Sequence, residues 1–335
     1  MTITLEVDGS EFEGFTSINV GKSIETISGT FSFEATSSDV STFPIKRGAA
    51  AKVLINGVSV IDGFVDTITV SYDAGGHSLL IQGRDKTSDV IDSSLVGKKE
   101  FTAPITLEQV IEKTLSDNGL TSISVVNEAA TTEPFKATEF VSSKTGQTVF
   151  EFIETYARKR QVLLTTNGSG DIVLARAGNE TISTVLKNVV GNTDNNILSG
   201  AITYNEIERF NKYVLKSQQN PTGFAFEADV QIKNIVSQIG DATDNDIRST
   251  RQLQIISKTS DNNVDLGKLA AWNANLRRAR SAEYSVVIQG FFADESETVL
   301  WEPNKLVKVE DDFADVNATL LIKSVEYNVG LDSGS

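Results

Sequence analysis

A chain of 335 residues exceeds what one hydrophobic core ordinarily serves, so its length predicts two or three domains. With 39% hydrophobic and 22% charged residues it has the composition of a folded protein, and the absence of cysteine removes disulfides, thiolate nucleophiles and cysteine-ligated metals together. A formal net charge of −15 opposes duplex binding, whose affinity comes chiefly from lysine and arginine neutralising phosphates, and no run of about 18 apolar residues is present to span a membrane.

Met1 to Val7 alternates apolar and polar residues and lacks the basic and apolar regions of a signal peptide, which predicts synthesis in a reducing cytoplasm. The first ~95 residues read as short strands, because period-two alternation recurs between turn residues. Ile3/Leu5/Val7, Ile18/Val20, Phe31/Phe33/Ala35, Val53/Ile55, Ile68/Val70 and Leu79/Ile81 each fit one buried face. Asn56-Gly57 is a type I′ hairpin signal and Gly75-Gly76 a second turn. Strands at this spacing predict an antiparallel barrel or sandwich.

The period changes at Thr106, where Thr106-Leu-Glu-Gln109 is a capping box ahead of Leu107, Val110, Ile111 and Leu115, and Asn118-Gly119 supplies the stop. A second box, Thr148 with Glu151, opens a helix whose stripe is Val149, Phe152, Ile153, Tyr156 and Ala157. Val162 to Thr165, the turn Asn167 to Asp171 and Ile172 to Leu174 then predict a hairpin that completes a small α/β unit.

Asn188 to Asn196 is a polar boundary before β structure resumes at Ile202/Tyr204 and Tyr213 to Lys216. Gln218 to Arg251 carries little pattern. A helix is predicted near 265–284, with Arg277, Arg278 and Arg280 at the end its dipole favours. Strands follow at Ser285 to Gln289, Leu306 to Val309 and Leu320 to Val329. Phe291 to Ser335 holds ten acidic residues against three lysines, which reads as a solvated acidic face. The β regions flanking the α/β unit suggest two barrels.

No constellation predicts catalysis. His77 is the one histidine, beside a turn, and no G-x-S-x-G elbow accompanies it. Asp241, Asp244 and Asp246 resemble the start of a calcium loop but lack its glycine and glutamate register, so a polar surface loop is expected there and at Glu310-Asp311-Asp312. Gly168 and Gly170 read as hairpin glycines rather than a dinucleotide fingerprint. Helix capping or inter-subunit ion pairs account for Arg277, Arg278 and Arg280. Trp272 and Trp301 read as packing residues, against a sugar-stacking role. Catalytic, cofactor-binding and metal residues are therefore expected to be none, with no cofactor.

Ser23 to Phe33, Asp62-Gly-Phe-Val-Asp66, Ile81 to Ser94, Thr145 to Ile153, Leu300 to Val309 and Leu320 to Tyr327, taken in order, resemble the baseplate hub proteins of Mu-like contractile-tailed phages. These are similar in turn to the hub portion of type VI secretion spike proteins. The expected fold is mainly β with an α+β insert: two antiparallel barrel-like domains flanking a small α/β domain. The domains are placed at 1–98 (first barrel), 99–178 (insert), 179–205 (connecting segment) and 206–335 (second barrel). The resemblance implies a homotrimeric ring in the virion tail baseplate, joining the sixfold tail tube or a tube-initiator ring to the threefold central spike, with other baseplate proteins as further partners and no specific nucleic-acid binding. It also implies a further strand after Val329, which Gly330 to Ser335 does not supply. The alternative is a peptidoglycan-binding or peptidoglycan-hydrolysing tail component, since any acidic chain offers carboxylate pairs.

Overall fold

The computed structural model describes residues 2–12, 14–37, 45–73, 76–136, 141–178, 180–218, 237–256 and 266–330. Contacts divide the chain into two units: Met1–Leu186 with Gly290–Glu310 and Asn317–Ser335, and Lys187–Gln289 with Asp311–Val316.

The first unit begins with β1 (Ile3–Val7), β2 (Ser10–Phe12), β3 (Ser17–Ser23), β4 (Thr30–Ser37), β5 (Ala50–Ile55), β6 (Val58–Asp73) and β7 (Gly76–Asp85). With the chain's last strand, Ser324–Gly330, they form an antiparallel half-barrel sheet of order β2-β1-β5-β6-β7-β4-β3-last, whose two edge strands do not pair with each other among the described residues. Alternation sets its core face: Leu5, Val20, Phe33, Val53, Ile55, Ile61 and Ile81 are fully buried, each contributing about 1.5–3 kcal/mol by leaving water. The β5–β6 hairpin turns at Asn56 (φ 47°) and Gly57 (φ 80°), the two positive angles that a type I′ turn requires. Gly75 lies outside the described residues. At the far end of the β6–β7 hairpin the expected buried face runs out: Ile68, Val70 and Tyr72 continue the side on which Ile81 is buried, yet Val70 is 56% and Tyr72 79% exposed.

The insert follows as α1 (Ser88–Asp92), β8 (Glu100–Phe101), α2 (Leu107–Asp117), β9 (Val125–Asn127), β10 (Val141–Ser142), α3 (Val149–Lys159), β11 (Leu163–Thr166) and β12 (Ile172–Ala175). Both capping boxes form, Thr106 with Gln109 and Thr148 with Glu151. Gly119 (φ 77°) closes α2, where the Leu120 amide reaches back to the Leu115 carbonyl at 3.0 Å. The same motif ends α3 at Gln161 (φ 55°), a residue without glycine's freedom. One core joins these elements: Val110, Ile111, Phe135, Phe152, Ile153, Ile172 and Leu174 are fully buried, and Tyr156 meets Phe152 and Phe135 edge-on at 5.1 and 5.6 Å. Ile27 and Val90, which precede the expected boundary at 99, belong to this core as well.

β13 (Thr181–Asn188) carries the chain into the second unit, which contains β14 (Ile197–Tyr204), β15 (Lys212–Gln218), β16 (Ser237–Thr243), β17 (Gln252–Ile256), α4 (Leu266–Ala279) and β18 (Ala282–Ile288). Among the described residues its strands fall into two sheets, a β14–β18 ribbon and a β16-β15-β17 sheet, with α4 laid over Leu215 by way of Leu266 and Ala270. The helix expected to about 284 stops at Ala279: the Ser281 hydroxyl donates to the Arg278 carbonyl at 2.7 Å, and Tyr284 is already paired with Ile202 in the ribbon.

The strand expected from Leu320 to Val329 is two strands, β20 (Val316–Leu321), which follows β19 (Leu306–Asp311), and β21 (Ser324–Gly330). β21 pairs with β3, so the expected domain 206–335 does not keep its last strand to itself. The cause is apolar: Tyr327, 2% exposed, meets Phe291 at 5.5 Å within the first unit's core.

Candidate functional site

Most of the residues that sequence chemistry singled out have structural partners within their own unit. His77 lies exposed on β7, its ring 6.3 Å from that of its cross-strand neighbour Tyr72. Asp241 pairs with Lys212 at 3.7 Å across adjacent strands. Asp244, expected on a polar surface loop, is instead 1% exposed and held by two arginines. The Arg209 Nε and Nη2 atoms reach its two oxygens at 3.1 Å, and Arg278 Nη2 reaches Oδ1 at 2.7 Å. Burial alone would raise the Asp244 carboxyl; the bonds from Arg278 and Arg209 hold it below the ordinary value. Asp246 joins the same network through Arg209 at 3.2 Å. Among the described residues no group of three or more His, Cys, Asp or Glu side chains is arranged to hold a metal ion.

Two arginines of α4 make ion pairs inside their own unit. Arg278 serves Asp244, and Arg277 reaches Glu208 at 3.3 Å while lying 5.5 Å over the Phe210 ring. Trp301 is buried at 6% exposure, which removes it from sugar stacking, and Trp272 is 37% exposed on α4. Gly168 and Gly170 are more than turn residues, for a Cβ on Gly168 would stand 2.0 Å from the Ser59 carbonyl oxygen of β6. The hairpin tip is seated against the large sheet.

Asp85 makes a second buried lock where the large sheet gives way to the insert. It accepts from the Gly29 amide at 2.7 Å, the Thr87 amide at 2.9 Å, the Ser28 hydroxyl at 3.1 Å and the Thr87 hydroxyl. Burial pushes its carboxyl above the ordinary value, and these four donors act the other way.

Two surface features went unread in the sequence. In the turn between β19 and β20, buried Asp311 accepts from the amides of Phe313 and Ala314, both at 2.9 Å, from Asn188 at 3.1 Å, and from the Tyr284 hydroxyl. Asp312 receives the Val190 amide at 2.9 Å. This turn presents Phe313 at 95% exposure beside Val190 at 89%. The only sequence signal was one aromatic residue inside Asp311-Asp312-Phe313-Ala314-Asp315. The second feature is a cavity of about 410 Å³ lined by Ile45, Lys46, Arg47 and Ile68, at the root of the exposed strip Val70 and Tyr72.

Comparisons with known proteins match the eight-stranded sheet region and the capped insert in turn. Residues 2–85 fit the family described as the N-terminal part of Mu phage baseplate assembly protein GpP-like, and residues 87–176 the second domain of the baseplate hub protein gp44-like family. Baseplate hub protein gp44 of Escherichia phage Mu is 29% identical over 326 residues, covering 96% of this chain and 82% of the relative. The chain belongs with the baseplate hub proteins of Mu-like phages. The 43 kDa tail protein of prophage MuSo2 from Shewanella oneidensis superposes on this hub protein with TM-score 0.79 at 27% identity, covering 99% of this chain and 94% of that one. A tail protein from Neisseria meningitidis MC58 shares the fold with TM-score 0.82 at 17% identity, covering 99% and 93%. In the hub protein the two matched families meet between residues 85 and 87, where the Asp85 carboxylate takes both donors of Thr87. No helix among the described residues is long and apolar enough to cross a membrane.

Proposed function

We propose that this hub protein works without catalysis, as a homotrimeric ring in the tail baseplate that joins the sixfold tail tube, or a ring initiating it, to the threefold central spike. The observation that carries the reading is the match to the Mu hub protein along 96% of the chain. The physical support is a sheet with two edge strands among the described residues, and a cyclic ring brings such edges against neighbouring copies. Two β-rich regions per chain multiply three subunits into six comparable positions, which suits a hexameric tube on one face while the other keeps threefold symmetry for a spike. A scheme of two β-rich regions flanking the insert, with β21 returned to the first of them, belongs to this proposal. A net charge of −15 also favours a channel through which duplex DNA slides, because few counterions would be released on contact.

The experiment is the solution mass of the purified protein across a concentration series, with particle images read for symmetry, alongside a peptidoglycan turbidity assay. Rings of three chains and no turnover are expected. A closed dimer, or turnover abolished by changing one Asp or Glu, counts against it.

A further inference from the structure

We propose that successive hub subunits meet by seating the Phe313 turn of one copy against the basic basin and the apolar strip of β6 in the next. This rests on the ring reading and names the surfaces that would build the ring. Scattered exposed apolar side chains are ordinary, but Phe313 is held out by construction. Four donors converge on Asp311 beneath it, and Asp312 ties down the neighbouring Val190. A turn ordered before contact loses little conformational entropy on docking, and a central aromatic is the usual anchor of an interface. Residues 188–196 and 311–316 carry Asp194, Asp311, Asp312 and Asp315 and no lysine or arginine, so the knob has an acidic rim.

The basin has the opposite character. Among the described residues it is lined by Ile45, Ile68 and exposed Lys46 and Arg47, and the strip Val70 and Tyr72 follows along the β6–β7 hairpin. That strip is the core face of the sheet running on past its core, exposed at Val70 and Tyr72. In a chain of net charge −15 most surfaces repel an acidic knob, whereas this one combines apolar area with two cations. Knob and basin are built from different residues, so the contact can repeat head to tail from copy to copy and close as a ring when the rotation allows.

Phe313→Asp tests the knob without disturbing the fold, because the side chain is almost wholly in solvent; far-UV circular dichroism should be unchanged. Self-association should weaken about 30-fold or more, the scale of losing an interface hot spot, and Lys46→Glu with Arg47→Glu should weaken it similarly. The chain has no cysteine, so Phe313→Cys chains mixed with Tyr72→Cys chains and a bifunctional thiol reagent should yield a cross-linked pair only in the mixture. Rings that persist in Phe313→Asp with no mixed cross-link overturn the docking pair and leave the ring to other contacts. Cross-linking of Phe313→Cys chains to themselves also overturns it, in favour of a symmetric contact. A wild-type protein that stays a single chain at every concentration overturns ring and docking together.

Discussion

The Ser59 hydroxyl donates to the carbonyl of Gly168 at 2.6 Å, fastening the tip of the β11–β12 hairpin onto β6. The approach leaves no room for a side chain, since the neighbouring atom is backbone and has no rotamer to yield.

Gly168→Ala is therefore expected to destabilise the first unit by about 1–3 kcal/mol, the scale of an overpacked contact. Ser169→Ala, one residue on and exposed, serves as the control and should be within about 0.5 kcal/mol of the parent. Urea midpoints decide between them, and equal midpoints for the two variants would mean the hairpin tip is not seated.

Asp244 makes stability depend on acid. Its folded carboxyl lies below the ordinary value, so its contribution is full above the unfolded pKa of about 3.9 and is lost as pH falls through the lower folded value. Asp85 is shifted the other way: its folded carboxyl lies above the ordinary value, so it favours the fold below its unfolded pKa and loses that contribution as pH rises through the folded one. Asp244→Asn should cost about 3 kcal/mol at neutral pH, because Arg209, 8% exposed, keeps its charge without the buried partner. Denaturant midpoints taken from pH 7 to pH 2 should fall more steeply in the parent than in Asp244→Asn. Parallel curves would assign the acid sensitivity elsewhere.

The helix caps offer a local test. Thr106→Ala and Thr148→Ala each remove a side-chain acceptor from an N3 amide, at 3.2 and 3.1 Å, and each is expected to cost about 1 kcal/mol. Serine at either position should restore most of it. Amide exchange in the first turns of α2 and α3 should quicken in the alanine variants and in no other helix.

Those caps were legible in the sequence because all their partners lie within four residues, and the Asn56-Gly57 turn for the same reason. Gln161 hid the end of α3, since a glutamine with positive φ carries no local signal. Distance in the chain explains the larger misses. Nothing near Tyr327 announces that its strand pairs with β3, roughly 300 residues earlier, and the pattern around Asp244 looked like a surface loop because Arg209 and Arg278 lie over 30 residues away on either side. Phe313 was hidden differently: an aromatic among aspartates reads as a solvated segment until the bonds to Asp311 fix its direction.

Two tyrosines carry the remaining prediction. Burial pushes the Tyr284 hydroxyl above its ordinary value, and its bond to the Asp311 carboxylate adds to the shift. Burial does the same to Tyr327, which donates to the Trp301 carbonyl and feels the charge of Glu302. Both folded values lie above the unfolded pKa of about 10, so the stabilisation is full below that pH and is lost as pH rises through the folded values. Alkali must therefore either ionise these two groups late or unfold the protein to reach them. Tyr284 and Tyr327 should contribute to a late, steep rise in phenolate absorbance that coincides with loss of the far-UV signal. Tyr284→Phe and Tyr327→Phe should each remove one equivalent from that late phase. The assignment to separate units makes the consequences differ: Tyr284→Phe takes a donor from beneath the Phe313 turn, while Tyr327→Phe loosens β21 against the core that includes Phe291. If neither substitution changes the late phase, neither hydroxyl is sequestered as the structure places it.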